Sequence, residues 1–250
     1  MSRGSADSHK HGQRGIRPRA ASQTPPDVGA PAIPQELVDL LDPATVTAWR
    51  CIEPLLPDGL YLVGGGALAA HLHHRKTGDL DFFFHGNVDL GALAETLSEL
   101  ENCMIDYEGP GTLRVRVGAT KVEFFNADHN RPQHQLDEPT NVAGLRVAGL
   151  RDLMAMKLSV VRQRGELRDY YDLMMLDTQG GVSIELGLQY LIKRYGIRPE
   201  SDVVQGVVFA LGNLHDIEED EQVPMSKAEL EAWWKARQLR LIRNLESRGL

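Results

Sequence analysis

Cysteine is scarce in this sequence. Cys51 and Cys103 are the only two among 250 residues, too few for a disulfide scaffold and typical of a protein in the reducing cytoplasm. We interpret both as small buried hydrophobic residues and not as nucleophiles. Long apolar runs are absent as well, because no stretch reaches the roughly 18 residues that a membrane span needs. The N-terminal residues also lack the hydrophobic core of an export signal. We therefore expect a cytoplasmic protein with no membrane partner.

Basic residues are fewer than acidic residues in this sequence. The chain has 27 Lys and Arg against 35 Asp and Glu, which gives a net charge of -8. Residues 1–33 hold five of the basic and two of the acidic residues, so the rest of the chain is more acidic than the total suggests. A nucleic-acid partner would need a local basic patch. Residues 1–33 have almost no large apolar side chains, and their composition predicts a disordered tail.

Hydrophobic periodicity divides the remaining chain into two parts. Residues 34–148 combine amphipathic helices with short strands, among them residues 104–107, 113–117 and 121–125. The polar residues 126–144 are interpreted as a connecting loop. Residues 149–250 contain several segments with the period of helices and an acidic loop at residues 216–221. We therefore predict an α/β core with N-terminal helices over residues 34–148, followed by a helical region over residues 149–250.

A glycine turn lies at the centre of the core. The apolar run of residues 61–63 predicts a strand, which ends at three consecutive glycines, Gly64, Gly65 and Gly66. Glycine permits positive φ and leaves no side chain between the backbone and a ligand. The next residues, Ala-Leu-Ala-Ala-His-Leu, favour a helix whose N-terminal amides would point at the same place. The turn is therefore a candidate phosphate site.

Two aspartates follow in the next predicted strand. Asp79 and Asp81 are two residues apart, so their side chains face the same side while Leu80 and Phe82 enter the core. Two like charges this close are unfavourable unless a cation lies between them, and Mg²⁺ prefers such oxygen ligands. A magnesium site beside a phosphate site indicates phosphoryl or nucleotidyl transfer. The alternative is a turn residue followed by a surface charge on an edge strand.

A helical hairpin supplies the second group of candidate residues. Apolar stripes before and after Gly165 predict two helices. Lys157 lies eight residues before this glycine and Asp172 seven after it, so antiparallel helices would bring them to the same height. A lysine among apolar residues should be paired or reach solvent. An ordinary surface pair of Arg168 with Asp172 is the alternative.

These two stretches resemble the abortive-infection (AbiEii-like) nucleotidyltransferase toxins, within the DNA polymerase β type of nucleotidyltransferase. The resemblance rests on Val-Gly-Gly-Gly-Ala-Leu at residues 63–68, on Arg-Lys-Thr-Gly-Asp-Leu-Asp-Phe-Phe at residues 75–83 and on Arg-Asp-Tyr-Tyr-Asp at residues 168–172. It implies a mixed-sheet nucleotidyltransferase core followed by a helical C-terminal region. Gly66 departs from the family pattern, since many members have Thr or Ser there.

The resemblance also implies roles for individual residues. Asp79 and Asp81 would bind the metal, with Glu123 from the strand of residues 121–125 as a third ligand. Glu123 is otherwise a solvent-facing glutamate. The nucleotide would be bound by residues of the glycine turn, the Arg-Lys-Thr segment and the hairpin: Gly64, Gly65, Gly66, Thr77 and Lys157. Either Asp172 or Asp169 would orient Lys157 or assist the acceptor.

The activity implied is transfer of an NMP from an NTP to an acceptor hydroxyl, with Mg²⁺ or Mn²⁺ as cofactor. The protein would be the toxin of a toxin-antitoxin system, with a cognate antitoxin and with tRNA 3′ ends as acceptor. A cluster of arginines near the hairpin is a candidate RNA contact: Arg146, Arg151, Arg162, Arg164 and Arg168. Two alternatives stay open: a transferase that modifies a protein or a small molecule such as an aminoglycoside, and a nucleotide-binding or RNA-binding partner without catalysis.

Overall fold

A seven-stranded mixed sheet organises the protein. The computed structural model describes residues 32–129, 133–198 and 201–247. Its strands are β1 (Tyr61–Val63), β2 (Leu80–Phe84), β3 (Cys103–Gly109), β4 (Thr112–Val117), β5 (Thr120–Asn126), β6 (Thr140–Val142) and β7 (Leu145–Val147). Their order across the sheet is β3-β4-β5-β2-β1-β7-β6. β2 is antiparallel to β1 and parallel to β5, and β1 is parallel to β7.

Strand alternation gives the sheet two different faces. Leu80 and Phe82 of β2 are buried in the core, as predicted, together with Phe84 and with Val122 and Phe124 of β5. The intervening residues of these strands point to the opposite face. Asp81 is there registered with Val63 on one side and with Glu123 on the other. The central strands thus place carboxylates on the face that is not filled by the core.

Helices flank the sheet and continue beyond it. Before and within the sheet these are α1 (Gln35–Val38), α2 (Pro43–Ile52), α3 (Gly64–Leu72) and α4 (Leu90–Ser98). After the last strand they are α5 (Leu150–Arg164), α6 (Leu167–Thr178), α7 (Ile184–Tyr195), α8 (Asp202–Leu211) and α9 (Lys227–Ser247). The predicted fold class, a mixed-sheet core followed by a helical region, is confirmed. The boundary between residues 148 and 149 stays a prediction.

One part of the predicted loop at residues 126–144 is wrong. It contains β6, which pairs with β7 as a hairpin across Ala143 and Gly144. Both residues have positive φ, +48° and +87°, the geometry that joins two antiparallel strands in a tight turn. Alanine is not a typical residue for that geometry, so the composition of this stretch did not indicate a hairpin.

Two further expectations are corrected. Cys51 is exposed, because α2 turns its other face, with Trp49 and Ile52, to the core. Cys103, the first residue of β3, is only partly buried. Ile33, placed in the predicted tail, is 7% exposed and belongs to the core. The tail prediction for residues 1–31 lies outside the described residues. Among the described helices, none is long and apolar enough to cross a membrane.

Candidate active site

The glycine turn lies where β1 passes into α3. The helix begins at Gly64 itself, whose φ is +68°. A Cβ atom on Gly64 would lie 2.6 Å from Oδ2 of Asp81, and one on Gly65 would lie 2.8 Å from Nη2 of Arg75. Gly64 therefore needs glycine for its conformation, and a side chain at either position would have to displace Asp81 or Arg75. The result is a side-chain-free turn at a helix N-terminus, next to the aspartates.

The two aspartates lie at the start of β2. Asp79 is exposed and precedes the strand, whereas Asp81 is inside the strand and partly buried. Burial, together with the charges of Glu123 and Asp79, raises the pKa of Asp81 to about 6. Clustered carboxylates of this kind repel one another, and a divalent cation would relieve the repulsion.

The donor set fits a hard divalent cation. Carboxylate oxygens of Asp79 and Asp81 are the ligands that Mg²⁺ and Mn²⁺ prefer. Among the described residues, however, no group of three or more His, Cys, Asp or Glu side chains is arranged to hold a metal ion. The fit is therefore that of a pair of aspartates, which leaves coordination positions for substrate phosphates and water.

Glu123 has cationic partners in this structure. Its Oε1 atom lies 2.7 Å from Nε of Arg114, and Oε2 pairs with Nζ of Lys121. The side chain of Glu123 is only 9% exposed, since the two cations cover it. The alternative of a solvent-facing glutamate therefore does not describe this residue. Its role as a third metal ligand stays a prediction.

Lys157 reaches the site from the α5–α6 hairpin. Its Nζ atom donates to Oδ1 of Asp169 at 2.7 Å and lies 2.7 Å from Oδ2 of Asp172. The antiparallel helices thus bring Lys157 and Asp172 to the same height. The other expectation, a surface pair of Arg168 with Asp172, does not occur, because Asp172 is fully buried. Arg168 pairs instead with Glu166.

Asp172 is surrounded by donors from two parts of the chain. Arg75 donates from Nε and Nη2 to its two oxygens at 2.6 and 2.8 Å, and Nε2 of His74 lies 2.7 Å from Oδ1. Burial acts to raise the pKa of Asp172, but the charge of Lys157 and the bonds from Arg75 and His74 outweigh it and hold the pKa well below its usual range. Asp172 therefore stays ionised and ties the hairpin to the segment before β2.

A cleft of about 500 Å³ joins these features, a volume suited to a small ligand such as a nucleotide. Gly64, Gly65, Thr77 and the two aspartates line one part of it, and Lys157 and Asp169 line another. Apolar side chains from β2, β5 and α5 also line the cleft: Phe83, Phe125, Leu153, Met156 and Val160.

Some predicted residues do not line this cleft. Gly66 is buried, and a side chain there would point at the carbonyl of Asp79 and at Leu62. Asp172 lies behind Lys157. Of the arginine cluster, Arg164 and Arg168 line the cleft, but the five residues do not form one patch. Arg151 is bonded to Asp137, and Arg162 lies beside Gly206 of α8.

Sequence reasoning missed three contributors. Arg75 and His74 precede β2 and fix Asp172, and Arg114 of β4 neutralises Glu123. Arg75 carried a signal, because it opens the Arg-Lys-Thr segment that carries the family resemblance. Arg114 meets Glu123 only through the register of the sheet, and His74 meets Asp172 only through the packing of the hairpin. No local pattern in the sequence indicates either contact.

This chain is similar to known proteins in sequence and in fold. Residues 48–248 match the family model described as "Nucleotidyl transferase AbiEii toxin, Type IV TA system". An uncharacterized protein from Aquifex aeolicus (strain VF5) is 28% identical over 162 residues, which is 64% of this chain and 78% of that protein. The crystal structure of JHP933 from Helicobacter pylori has the same fold, with a TM-score of 0.52 at 17% identity over 87% of this chain and 97% of that one. This chain therefore belongs to the AbiEii family of nucleotidyltransferase toxins.

Proposed function

We propose that this nucleotidyltransferase moves an NMP from an NTP to a hydroxyl at the 3′ end of an RNA, with tRNA as the acceptor. It would act in the cytoplasm as the toxin of a type IV toxin-antitoxin system and be opposed by a cognate antitoxin. Residues 34–148 would carry the metal and glycine sites, and residues 149–250 would close the nucleotide site with Lys157.

One observation carries this proposal: the glycine turn, the aspartate pair and a fixed lysine line the same cleft. Lys157 is held by two aspartates. Burial acts to lower its pKa, but the negative charges of Asp172 and Asp169 have the larger effect, so the pKa of Lys157 is raised. It is therefore charged at neutral pH. A cation and a turn of free backbone amides are what a bound triphosphate needs.

The reaction is an in-line displacement at phosphorus. The acceptor oxygen bonds to the α-phosphorus, the bond from that atom to the oxygen bridging to the β-phosphate breaks, and pyrophosphate leaves with the bonding electrons. The hydroxyl proton passes to solvent. Amides of Gly64 and Gly65 and the ammonium group of Lys157 would hold the β and γ phosphates, which orients the α-phosphate toward Asp81.

Mg²⁺ or Mn²⁺, held by Asp79 and Asp81 with Glu123 as a third candidate, would supply neutralisation of the phosphate charge. To bind the metal ion, Glu123 would have to give up its ion pair with Arg114 or with Lys121. Asp169 would hold the ammonium group of Lys157 on the side of the cleft, which Asp169 lines, and Asp172 would hold it on the buried side.

RNA as the acceptor is supported by charge. Arg164 and Arg168 lie at the cleft, and the side chain of Arg164 is 73% exposed. On a chain of net charge -8, an exposed and a partly exposed arginine at a nucleotide site favour a polyanionic second substrate.

The test is a labelling reaction. The purified protein is incubated with each of the four NTPs labelled at the α-phosphate, with Mg²⁺, and with total RNA or cell lysate; Asp81→Asn serves as the inactive control. We expect label in tRNA with one preferred base, dependent on Asp81. Label in protein or in a small molecule would contradict RNA as acceptor, and no labelled product at all would contradict catalysis.

A further inference from the structure

The face of the sheet that carries the aspartates continues beyond the cleft onto β4 and β3. On these strands the residues beside Glu123 and Lys121 are Arg114 and Arg116, followed on the edge strand by Tyr107 and Met104. The side chains of Arg114, Arg116 and Lys121 are about half exposed, at 47%, 52% and 50%. We call Lys121, Arg114, Arg116 and Tyr107 the sheet-face track.

The track is continuous with the catalytic cleft. Asp81, Glu123, Arg114 and Tyr107 are neighbours on four successive strands, and Lys121 and Glu123 themselves line the cleft. Three inter-strand spacings of about 4.8 Å each make the path from Asp81 to Tyr107 about 14 Å long. A chain whose end reaches the α-phosphate would have to leave the cleft, and this face offers an exit.

The chemistry of the track combines cations with an aromatic ring. The guanidinium of Arg114 lies 5.4 Å from the centre of the Tyr107 ring, and Tyr107 itself is 47% exposed. Cationic side chains beside exposed aromatic rings are the features by which proteins bind single-stranded nucleic acid, through phosphate contacts and base stacking. The opposite face of β4 is apolar and buried, with Leu113, Val115 and Val117 in the core.

We propose that the sheet-face track binds the single-stranded end of the acceptor RNA, with phosphates on Arg116, Arg114 and Lys121 and a base stacked on Tyr107. The proposal rests on the proposed function, and it names the path by which that acceptor reaches the cleft. The present partners of the cations are Glu123 and Asp106. The pair of Arg116 with Asp106 is exposed and contributes little stability, so an RNA phosphate can replace it. Arg114 and Lys121 are about half exposed and can bind a phosphate on their solvent side while they keep the buried Glu123 as a partner.

A protein strand fits this surface less well than RNA does. β3 is an edge strand, but its register with β4 shifts between Ile105 and Tyr107, and such a bulge interrupts the regular hydrogen bonds that an added strand needs. The cations also lie on β4 and β5, inside the edge, where an added strand would not reach them.

The experiment uses the full-length protein and a fluorescent single-stranded RNA of about 10 nucleotides, within the range that single-strand binding sites cover. Affinity is measured by anisotropy at several salt concentrations for wild type, Arg116→Gln, Tyr107→Ala and Tyr107→Phe. The matched control is Arg50→Gln, an exposed arginine on α2, which packs on the other face of the sheet through contacts such as Thr45 with Thr120. NTP binding by calorimetry is recorded for every variant.

We expect Tyr107→Ala to weaken RNA binding about 5-fold to 100-fold, and Tyr107→Phe to bind as wild type, because stacking needs the ring and not the hydroxyl group. Arg116→Gln should weaken binding and lower the slope of log Kd against log salt by about 0.7, as expected for one lost phosphate contact. Arg50→Gln should change neither, and all four variants should bind NTP normally.

Two results would overturn the inference. If Tyr107→Ala and Arg116→Gln bind the RNA like Arg50→Gln while wild type transfers NMP to RNA, the acceptor follows another path and the proposed function stands. If wild type binds no RNA and labels a protein instead, both the track and the RNA acceptor are wrong, and the edge strand becomes a candidate for protein docking.

Discussion

Replacing Asp172 by asparagine tests whether this residue anchors the hairpin. The buried carboxylate forms an ion pair with Lys157 and accepts hydrogen bonds from two nitrogens of Arg75. It also forms a hydrogen bond with His74. Asparagine has nearly the same shape but no charge, so two buried cations lose part of their compensation. Removing one partner of a buried ion pair costs about 3–5 kcal/mol, a large share of the 5–15 kcal/mol typical of a folded domain.

Asp169→Asn provides the comparison within the hairpin. Lys157 would keep Asp172, and the loss would consist of the ion pair with Lys157, because the amide oxygen of asparagine can still accept the capping bond from the backbone N–H of Glu166, which is 3.1 Å long in the wild type. We expect about 1–2 kcal/mol. Asp216→Asn is the surface control, because the side chain of Asp216 is 91% exposed, and it should lie within about 0.5 kcal/mol of wild type.

Urea unfolding followed by tryptophan fluorescence measures all three variants, since Trp49 and Trp234 are buried and report on both parts of the molecule. The slope of the free energy against urea should not change, because the same surface is exposed on unfolding. A loss below about 1 kcal/mol for Asp172→Asn, or a larger loss for Asp169→Asn, would refute the view that Asp172 is the anchor.

The remaining predictions concern the metal site, the glycine turn and pH. Asp81→Asn and Asp79→Ala should each lower transfer about 100-fold or more without loss of stability; EDTA should abolish wild-type transfer, and Mg²⁺ or Mn²⁺ should restore it. Gly64→Ala and Gly118→Ala both place a side chain at positive φ, for about 1–2 kcal/mol of destabilisation. Only Gly64→Ala should also lower transfer, because its Cβ meets Asp81 whereas the surroundings of Gly118 are open. The pKa of Asp172 is lowered in the folded state. The contribution of ionised Asp172 to folding stability is therefore complete above the pKa of the unfolded state, about 3.9, and is lost progressively as the pH falls below that value. The free energy of unfolding of Asp172→Asn should consequently depend less steeply on pH in this acid range than that of Asp216→Asn.

Local patterns were sufficient where the chain determines its own geometry. Alternation in β2 gave the buried faces of Leu80 and Phe82, and the positions of Lys157 and Asp172 about Gly165 gave their pairing across two helices. Each depends on a fixed repeat, the strand period of two or the rise of a helix. The same rules located the aspartate pair and the glycine turn in one cleft.

Contacts between distant segments could not be predicted in this way. Glu123 and Arg114 meet through the register of β4 with β5, and His74 reaches Asp172 across 98 residues of sequence. Nor did the arginine positions give a patch, because residues two apart on α5, such as Arg162 and Arg164, point in different directions. Side-chain direction and sheet register decide these contacts, and neither is local in sequence.

Crystallography of the protein with Mn²⁺ and a non-hydrolysable NTP tests the central claim most directly. We predict anomalous density for Mn²⁺ beside Asp79 and Asp81, with the triphosphate between the amides of Gly64 and Gly65 and the ammonium group of Lys157. A nucleotide bound elsewhere, or one whose phosphates contact neither Lys157 nor the glycine turn, would contradict the account.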